Sequence, residues 1–133
     1  MIASFVVPGE PVAWARAGKN GKFSFTPPKQ RNFGAMVKIL AAEAMDGREP
    51  YDGPVKLLVD VCLAIPASKP KKWQNDAALR LIRPVKKPDW DNAGKIISDA
   101  LNGIVWNDDA QVIEATVRKF YDLTPRVQVM VTA

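Results

Sequence analysis

Every second residue between positions 55 and 65 is a large apolar one, and this alternation is the firmest guide to the fold. The apolar positions on one side of the run are Leu57, Val59, Val61, Leu63 and Ile65. In an extended chain, residues two apart point the same way, so these side chains share one face of a strand. Such a face must be buried against another layer. The run from Val55 to Ile65 therefore predicts a sheet that is covered on at least one side.

Two segments have the period of helices that can cover such a sheet. Gln30 to Met45 carries apolar residues three and four apart and is followed by Gly47 and Pro50. Its predicted buried stripe is Phe33, Met36, Val37, Leu40, Ala41 and Ala44. Asp91 to Leu101 has the clearest amphipathic pattern and ends at Asn102-Gly103. Its predicted stripe is Ala93, Ile96, Ile97, Ala100 and Leu101.

The remaining segments complete a mixed architecture. Strands are predicted for Ile2 to Val7, Val112 to Tyr121 and Arg126 to Thr132. A hairpin is predicted at Lys19-Asn20-Gly21-Lys22, with a return strand through Phe23, Phe25 and Thr26. A short helix is predicted from Lys71 to Ile82, with Trp73, Ala77, Ala78 and Leu81 as its apolar side, followed by an irregular segment to Trp90. The 133 residues are thus predicted to form one α+β domain, residues 1–133, in which a mixed sheet of about five strands packs with two or three helices.

Two absences narrow the chemistry. The chain has no histidine and a single cysteine, Cys62. Catalysis by Ser-His-Asp or Cys-His groups is excluded, and so are zinc sites built from imidazole or several thiolates. Any hydrolysis must use carboxylates, lysine and a hard cation such as Mg²⁺. Cys62 is predicted to be a small core residue, since it lies in the alternating strand.

The expected location follows from the same inventory. One cysteine permits no disulfide within the chain, which agrees with a reducing cytoplasm. No apolar run is long enough to span a bilayer, and the first residues lack the pattern of a signal peptide. We therefore expect a cytoplasmic protein with no membrane partner.

Acidic residues are concentrated between Lys86 and Val112. This stretch contains Asp89, Asp91, Asp99, Asp108 and Asp109. Pro88 favours an extended backbone before Asp89, and in an extended chain Asp89 and Asp91 would point the same way. Two neighbouring carboxylates repel each other unless a proton or a cation lies between them. A divalent metal would satisfy both.

Two further groups are predicted to join this pair. Lys95 follows Asp91 by four residues, so on a helix its ammonium lies on the same face, where it can steady the carboxylates or contact a phosphate. Asp108 and Asp109 follow the turn after the helix and precede the next strand. A chain that returns antiparallel beside the helix would bring one of them back to Asp89 and Asp91.

Each of these residues also has an ordinary structural interpretation. Asp91 can be a helix N-cap, Lys95 can form an exposed ion pair, and the Asp108-Asp109 pair can be a solvated turn. Asp99 lies two turns along the helix and is interpreted as a stabilising residue or the partner of a lysine. The combination in one short stretch favours a metal site.

The net charge of +5 is concentrated beside the acidic stretch. Between positions 69 and 87, seven cations stand against one acidic residue, Asp76: they are Lys69, Lys71, Lys72, Arg80, Arg83, Lys86 and Lys87. We call these seven cations the basic segment. It is predicted to bind phosphates and steer DNA to the metal, although a solvated basic face would look the same. Trp73 and Trp90 can stack on unpaired bases or serve as core residues, and Trp106 is predicted to be packed.

The acidic motif resembles that of a known family. The run D-W-D-N-A-G-K from Asp89 to Lys95, followed by D-A-L-N-G and N-D-D-A-Q-V, resembles the RusA family of Holliday-junction resolvases. The resemblance implies a homodimer that depends on Mg²⁺, or on Mn²⁺ in its place, and nicks two opposed strands of four-way DNA junctions. It implies that Asp89, Asp91, Lys95 and Asp109 are catalytic. It also implies that Asp108 or Asp109 supplies a third metal ligand beside Asp89 and Asp91, and it implies no small-molecule cofactor.

The sequence thus predicts a crossover junction endodeoxyribonuclease that acts in recombination and repair, in a bacterial or phage-infected cell. Three other interpretations remain open. The chain can be a module that binds junctions without cutting them, a metal-dependent phosphoesterase that acts on flap or other branched DNA, or a structural phage protein whose acidic residues only stabilise a turn.

Overall fold

The computed structural model describes the backbone of residues 1–11, 18–20, 23–25 and 28–133, and the side chains of residues 1–11 and 31–133. This part of the chain contains six strands and three α-helices. The strands are β1 (Ala3–Pro8), β2 (Gly18–Asn20), β3 (Phe23–Phe25), β4 (Val55–Ala64), β5 (Val112–Asp122) and β6 (Arg126–Thr132). The helices are α1 (Pro28–Met45), α2 (Lys71–Ala78) and α3 (Trp90–Leu101), and a 3₁₀ turn covers Asp109–Gln111.

Four of the strands form a mixed sheet in the order β1-β6-β4-β5. β6 pairs antiparallel with both β1 and β4, whereas β4 and β5 run parallel. A parallel pair needs a long crossover, and here α2 and α3 lie in that connection. Strands β2 and β3 form a separate antiparallel pair. The α+β prediction is confirmed; the main sheet has four strands rather than about five, and the hairpin stands apart from it.

The helices pack on the face of the sheet that carries the alternating apolar residues. Leu57, Val59, Val61 and Leu63 are buried, as the alternation predicted. α1 and α3 pack against each other, and their buried positions include Val37, Ala41, Ala93, Ile97 and Leu101. Trp106 and Cys62 are fully buried, which confirms both core predictions.

Several predicted positions differ from the structure. Met36 and Leu81, predicted to be buried, are exposed. α2 ends at Ala78 instead of Ile82, because Leu79 caps it and Arg80 takes a left-handed conformation with φ of 65°. Leu81 therefore lies beyond the helix, on no helical face. The predicted hairpin pairs as expected, but Gly21, Lys22 and Thr26 lie outside the described residues.

Within the described residues, no helix is both long enough and apolar enough to cross a membrane.

Candidate active site

The start of α3 separates two aspartates that the sequence analysis paired. The backbone is extended only up to Asp89, which is the N-cap, and Trp90 already begins the helix. Asp91 is therefore in the first helical turn, so the prediction that both carboxylates point the same way from an extended chain is wrong. The alternative that Asp91 caps the helix is also wrong. The side chain of Asp89 makes no capping hydrogen bond and is free to interact elsewhere.

Two lysines lie close to the Asp89 carboxylate. Its Oδ2 is 2.8 Å from Nζ of Lys87. Lys119, on β5, is a second neighbour: burial lowers the pKa of its ammonium, the nearby Asp89 carboxylate opposes this shift, and Lys87 reinforces it. Lys119 also fixes the basic segment, because its Nζ donates to the carbonyl of Lys86 and its own carbonyl accepts from Nε of Arg83 at 2.6 Å. Sequence analysis missed Lys119, since only the fold brings β5 beside residues 83–89.

The 3₁₀ turn before β5 gives its two aspartates different tasks. The side chain of Asp108 accepts a hydrogen bond from the Ala110 amide at 3.0 Å, and the side chain of Gln111 accepts one from the Asp108 amide at 3.0 Å. This reciprocal capping box holds the turn in place. Asp108 is thus engaged in the turn itself, and Asp109 is the member of the pair that lines the pocket beside α3.

Gln111 is a positioning residue that sequence analysis did not single out. Its Nε2 donates to the carbonyls of Tyr51 and Gly53, at 2.7 and 2.9 Å, while Oε1 accepts from Asn107 and Asp108. It therefore ties the turn to the segment before β4. The spacing of Asp108 and Gln111, three residues apart, is the sequence signature of a capping box and was the available signal.

A pocket of about 300 Å³ between α3 and β5 brings together most of the predicted catalytic residues. Its polar lining consists of Asp91, Lys95, Ser98 and Asp109. Its apolar lining consists of Leu57, Trp90, Gly94, Val112, Ala115 and Val117. Asp109 returns to Asp91 beside the helix, as the sequence analysis expected. Asp89 is absent from this lining and lies with Lys87 instead.

Lys95 lies one turn after Asp91, as its spacing predicted. Its Nζ is 2.9 Å from Oδ1 of Asp99, and both side chains are more than half exposed. The interpretation of Asp99 as the partner of a lysine is confirmed. Because an exposed pair of this kind contributes little stability, Lys95 can exchange Asp99 for another anion at low cost.

One carboxylate oxygen of a residue that lines this pocket lacks a partner. Oδ1 of Asp109 is buried, and it has no hydrogen-bond donor in the described part of the chain. A buried carboxylate oxygen without a donor or cation is costly, so it fits a position that a cation would fill. Oxygen ligands of this type suit Mg²⁺. Asp91 and Asp109 therefore fit a hard-metal site.

The three predicted ligands do not form a complete metal centre in this conformation. Among the side chains of residues 1–11 and 31–133, no group of three or more Asp, Glu, Cys or His lies close enough to hold a metal. In this conformation, the Asp89 carboxylate pairs with Lys87, and the Asp108 carboxylate caps the 3₁₀ turn. A third ligand from Asp89 requires that Lys87 release it.

The basic segment forms an exposed surface over aromatic residues. All seven of its cations are exposed. The guanidinium carbons of Arg80 and Arg83 each lie 4.0 Å from the ring centroid of Phe120, and Nζ of Lys69 lies 5.1 Å from the ring of Trp73. Ion pairs engage Lys72 with Asp76 and Arg80 with Asp122. The rings of Phe120 and Trp73 thus hold several of these cations in place, while their charged groups stay accessible to solvent.

Comparison with known proteins identifies relatives of the whole chain. The family model described as "Endodeoxyribonuclease RusA" matches residues 8–132. A protein of Bacillus subtilis (strain 168), named "Uncharacterized protein YqaN", is 38% identical over 132 residues, which cover 96% of this chain and 93% of that protein.

Proposed function

Because this chain belongs to the endodeoxyribonuclease RusA family, and is therefore a hydrolase that acts on DNA, we propose that it resolves four-way DNA junctions with Mg²⁺. The observation that carries the proposal is the buried, unpartnered Oδ1 of Asp109, a residue that lines the same pocket as Asp91 and Lys95. A carboxylate oxygen without a donor, on a residue that shares a pocket with a second aspartate, suits a divalent cation. The basic segment adds a surface for the phosphates of DNA.

In this mechanism, Asp91 and Asp109 would hold the cation, and Asp89 would be the third ligand once its carboxylate is no longer paired with Lys87. Asp108 stays in its capping box. Held there, Mg²⁺, or Mn²⁺ in its place, would supply a more acidic water molecule and a positive charge beside the phosphate. Lys95 leaves Asp99 and stabilises the pentacoordinate phosphate or the leaving oxygen. Because the chain has no histidine, a carboxylate of this site accepts the proton of the attacking water.

The basic segment has a separate task in this proposal. Its cations hold the strand that runs toward the pocket, and the carbonyls that bind Lys119 and Arg83 keep that surface at a fixed position relative to Asp89. Lys87 connects the two regions, since its ammonium would be available to a phosphate if the Asp89 carboxylate served as a metal ligand.

A junction presents two strands to cut, and each chain offers one acidic pocket. We therefore propose a homodimer whose two-fold symmetry supplies the second cut. The substrate is intracellular DNA, which agrees with the cytoplasm of a bacterial or phage-infected cell.

The experiment is cleavage of a labelled four-way junction by the wild type and by Asp91→Asn. We expect the wild type to cut in Mg²⁺ and not in EDTA. Asp91→Asn should bind the junction with nearly unchanged affinity and cut it at least about 100-fold more slowly, since effects of 10- to 100-fold already follow from losing an outer-shell partner. Asp46→Asn, an identical change in the turn after α1 and outside the pocket, is the matched control.

The same assay separates the other interpretations. A binding module would bind the junction equally in all variants and cut it in none. A phosphoesterase for other branched DNA would cut flaps faster than junctions. A structural phage protein would show neither cleavage nor a change in metal affinity on Asp91→Asn. Equal cutting by the wild type and Asp91→Asn would contradict the assigned site.

A further inference from the structure

Trp90 is placed unlike the other tryptophans whose side chains the structure describes. Trp106 is fully buried, and its Nε1 donates to Oδ1 of Asn102 at 2.6 Å. Trp73 is half-buried and meets the ring of Tyr121 edge to face at 5.3 Å. Trp90 is 68% exposed and has no ring or hydrogen-bond partner of this kind among the described residues. An exposed tryptophan with no structural task points to a ligand.

The position of Trp90 indicates where that ligand would lie. It is the first residue of α3, between Asp89 and Asp91, and it lines the pocket that contains Asp91 and Asp109. Any phosphate held at these carboxylates through a metal therefore has Trp90 beside it. The indole forms part of the exposed rim of the pocket.

The pocket behind Trp90 suits a flat, mainly apolar group. Its walls include Leu57, Ala115 and Val117, whereas its polar groups are those of α3 and Asp109. Gly94 lies close to β5 at this wall, since a Cβ at that position would lie 3.4 Å from Cγ2 of Val117. Its volume of about 300 Å³ lies at the lower end for small-molecule pockets, so it admits one ring system rather than a larger ligand.

We propose that this pocket takes the nucleobase next to the scissile phosphate, and that Trp90 stacks on that base. The inference rests on the proposed junction cleavage. A base inside a continuous duplex has both faces stacked on its neighbours, so only a base with an open face can use the ring of Trp90. Where strands exchange at a branch point, the continuous stack is interrupted and such faces become available. Trp90 thereby favours a cut at the branch over a cut in continuous duplex.

The first test compares variants of Trp90 in single-turnover cleavage of a junction with subsaturating enzyme. Loss of a stacked base predicts a rate about 10- to 100-fold lower for Trp90→Ala, and Trp90→Phe should retain most of the activity. Leu81→Ala removes a similarly exposed apolar side chain from outside the pocket and should cut like the wild type. Unchanged thermal unfolding of all three variants shows that the effect is local.

The second test removes the base instead of the ring. A series of junctions is prepared, each with one abasic nucleotide at a different position around the cleaved bond. The cleavage rate of each is measured with the wild type and with Trp90→Ala. At one position, the abasic site should lower the cleavage rate of the wild type as much as Trp90→Ala lowers it on the intact junction. At the same position, the abasic site should not lower the rate of Trp90→Ala any further. Additive losses at every position, or equal cutting of the intact junction by wild type and Trp90→Ala, would overturn the inference.

Two other outcomes are distinguishable. If the wild type does not cut junctions in Mg²⁺, the proposed function fails and the role of Trp90 fails with it. If Trp90→Ala changes the oligomeric mass of the protein while abasic sites have no positional effect, the ring contacts a second copy of the chain rather than a base. That result would also overturn the inference.

Discussion

At the level of one residue, Asp109 links ligand binding to the stability of the fold. Its buried Oδ1 has no donor among the described residues, so a bound cation should stabilise the folded protein. We expect Mg²⁺ to raise the free energy of unfolding of the wild type by about 1.4 kcal/mol when its concentration is ten times the dissociation constant. Asp109→Ala should abolish this gain and should cost no stability in EDTA. Thermal unfolding with and without Mg²⁺ measures both effects.

Asp108→Asn is the matched control for that prediction. Asparagine caps as well as aspartate, so the 3₁₀ turn should survive the substitution. We expect Asp108→Asn to keep the response to Mg²⁺ and most of the cleavage activity. A loss of the Mg²⁺ response in Asp108→Asn, with retention in Asp109→Ala, would show that the two aspartates have the opposite roles.

At the level of elements, Asp122 joins the end of β5 to β6 and to the end of α2. Its Oδ1 accepts from the Thr124 amide at 2.8 Å and lies 2.9 Å from Nη1 of Arg126, and its Oδ2 lies 3.7 Å from Arg80. Burial opposes ionisation of the carboxyl group, but these hydrogen bonds and charges hold the pKa of Asp122 below its usual value. The ionised form is therefore favoured in the folded state.

The stability that follows from this lowered pKa has a defined pH range. It is fully present above the pKa of the unfolded chain and is lost as the pH falls through the lower, folded value. We expect Asp122→Asn to reduce the free energy of unfolding by about 1–2 kcal/mol at pH 7. The difference should shrink in urea unfolding at progressively lower pH. Equal destabilisation at all pH values would show that the charge of Asp122 is not responsible.

The elements also show what local pattern can and cannot predict. The periods of β4 and α3 predicted both elements and most of their buried residues, because burial imposes those periods directly. The end of α2 was not predictable, because Arg80 occupies the left-handed position where glycine is usual. Its contact with Phe120 and its pair with Asp122 offset that backbone cost, and both partners lie on a distant strand.

In the candidate site, too, some residues could be predicted from local sequence pattern and others could not. Asp91, Lys95 and Asp109 were predictable, since helical spacing and the return of the chain after α3 placed them together. Lys119 was not, because its neighbours depend on the parallel pairing of β4 and β5 and on the packing of residues 83–89 against β5. The engagement of Asp89 by Lys87 was missed because the onset of the helix at Trp90, not Asp91, separates the two aspartates.

At the level of the whole molecule, the proposed homodimer predicts how a mixture of intact and inactive subunits cuts a junction. In solution, the protein should have twice the 14.6 kDa mass of one chain. After subunits of the wild type and Asp91→Asn exchange in equal amounts, about half of the dimers carry one intact site. Such dimers can nick a plasmid cruciform once, giving an open circle, whereas wild-type dimers cut both strands in one encounter and give linear DNA.

The ratio of open-circular to linear product therefore tests the assembly directly. We expect this ratio to rise as Asp91→Asn subunits are added, because the inactive half of each mixed dimer leaves its strand intact. Asp46→Asn subunits, added in the same proportion, should leave the ratio unchanged, since both sites stay complete. If the protein acts as independent monomers, Asp91→Asn only occupies junctions, and it competes with first and second nicks alike. The ratio could instead depend only on the amount of active enzyme and stay the same at every proportion of Asp91→Asn. That result would exclude a dimer with paired sites.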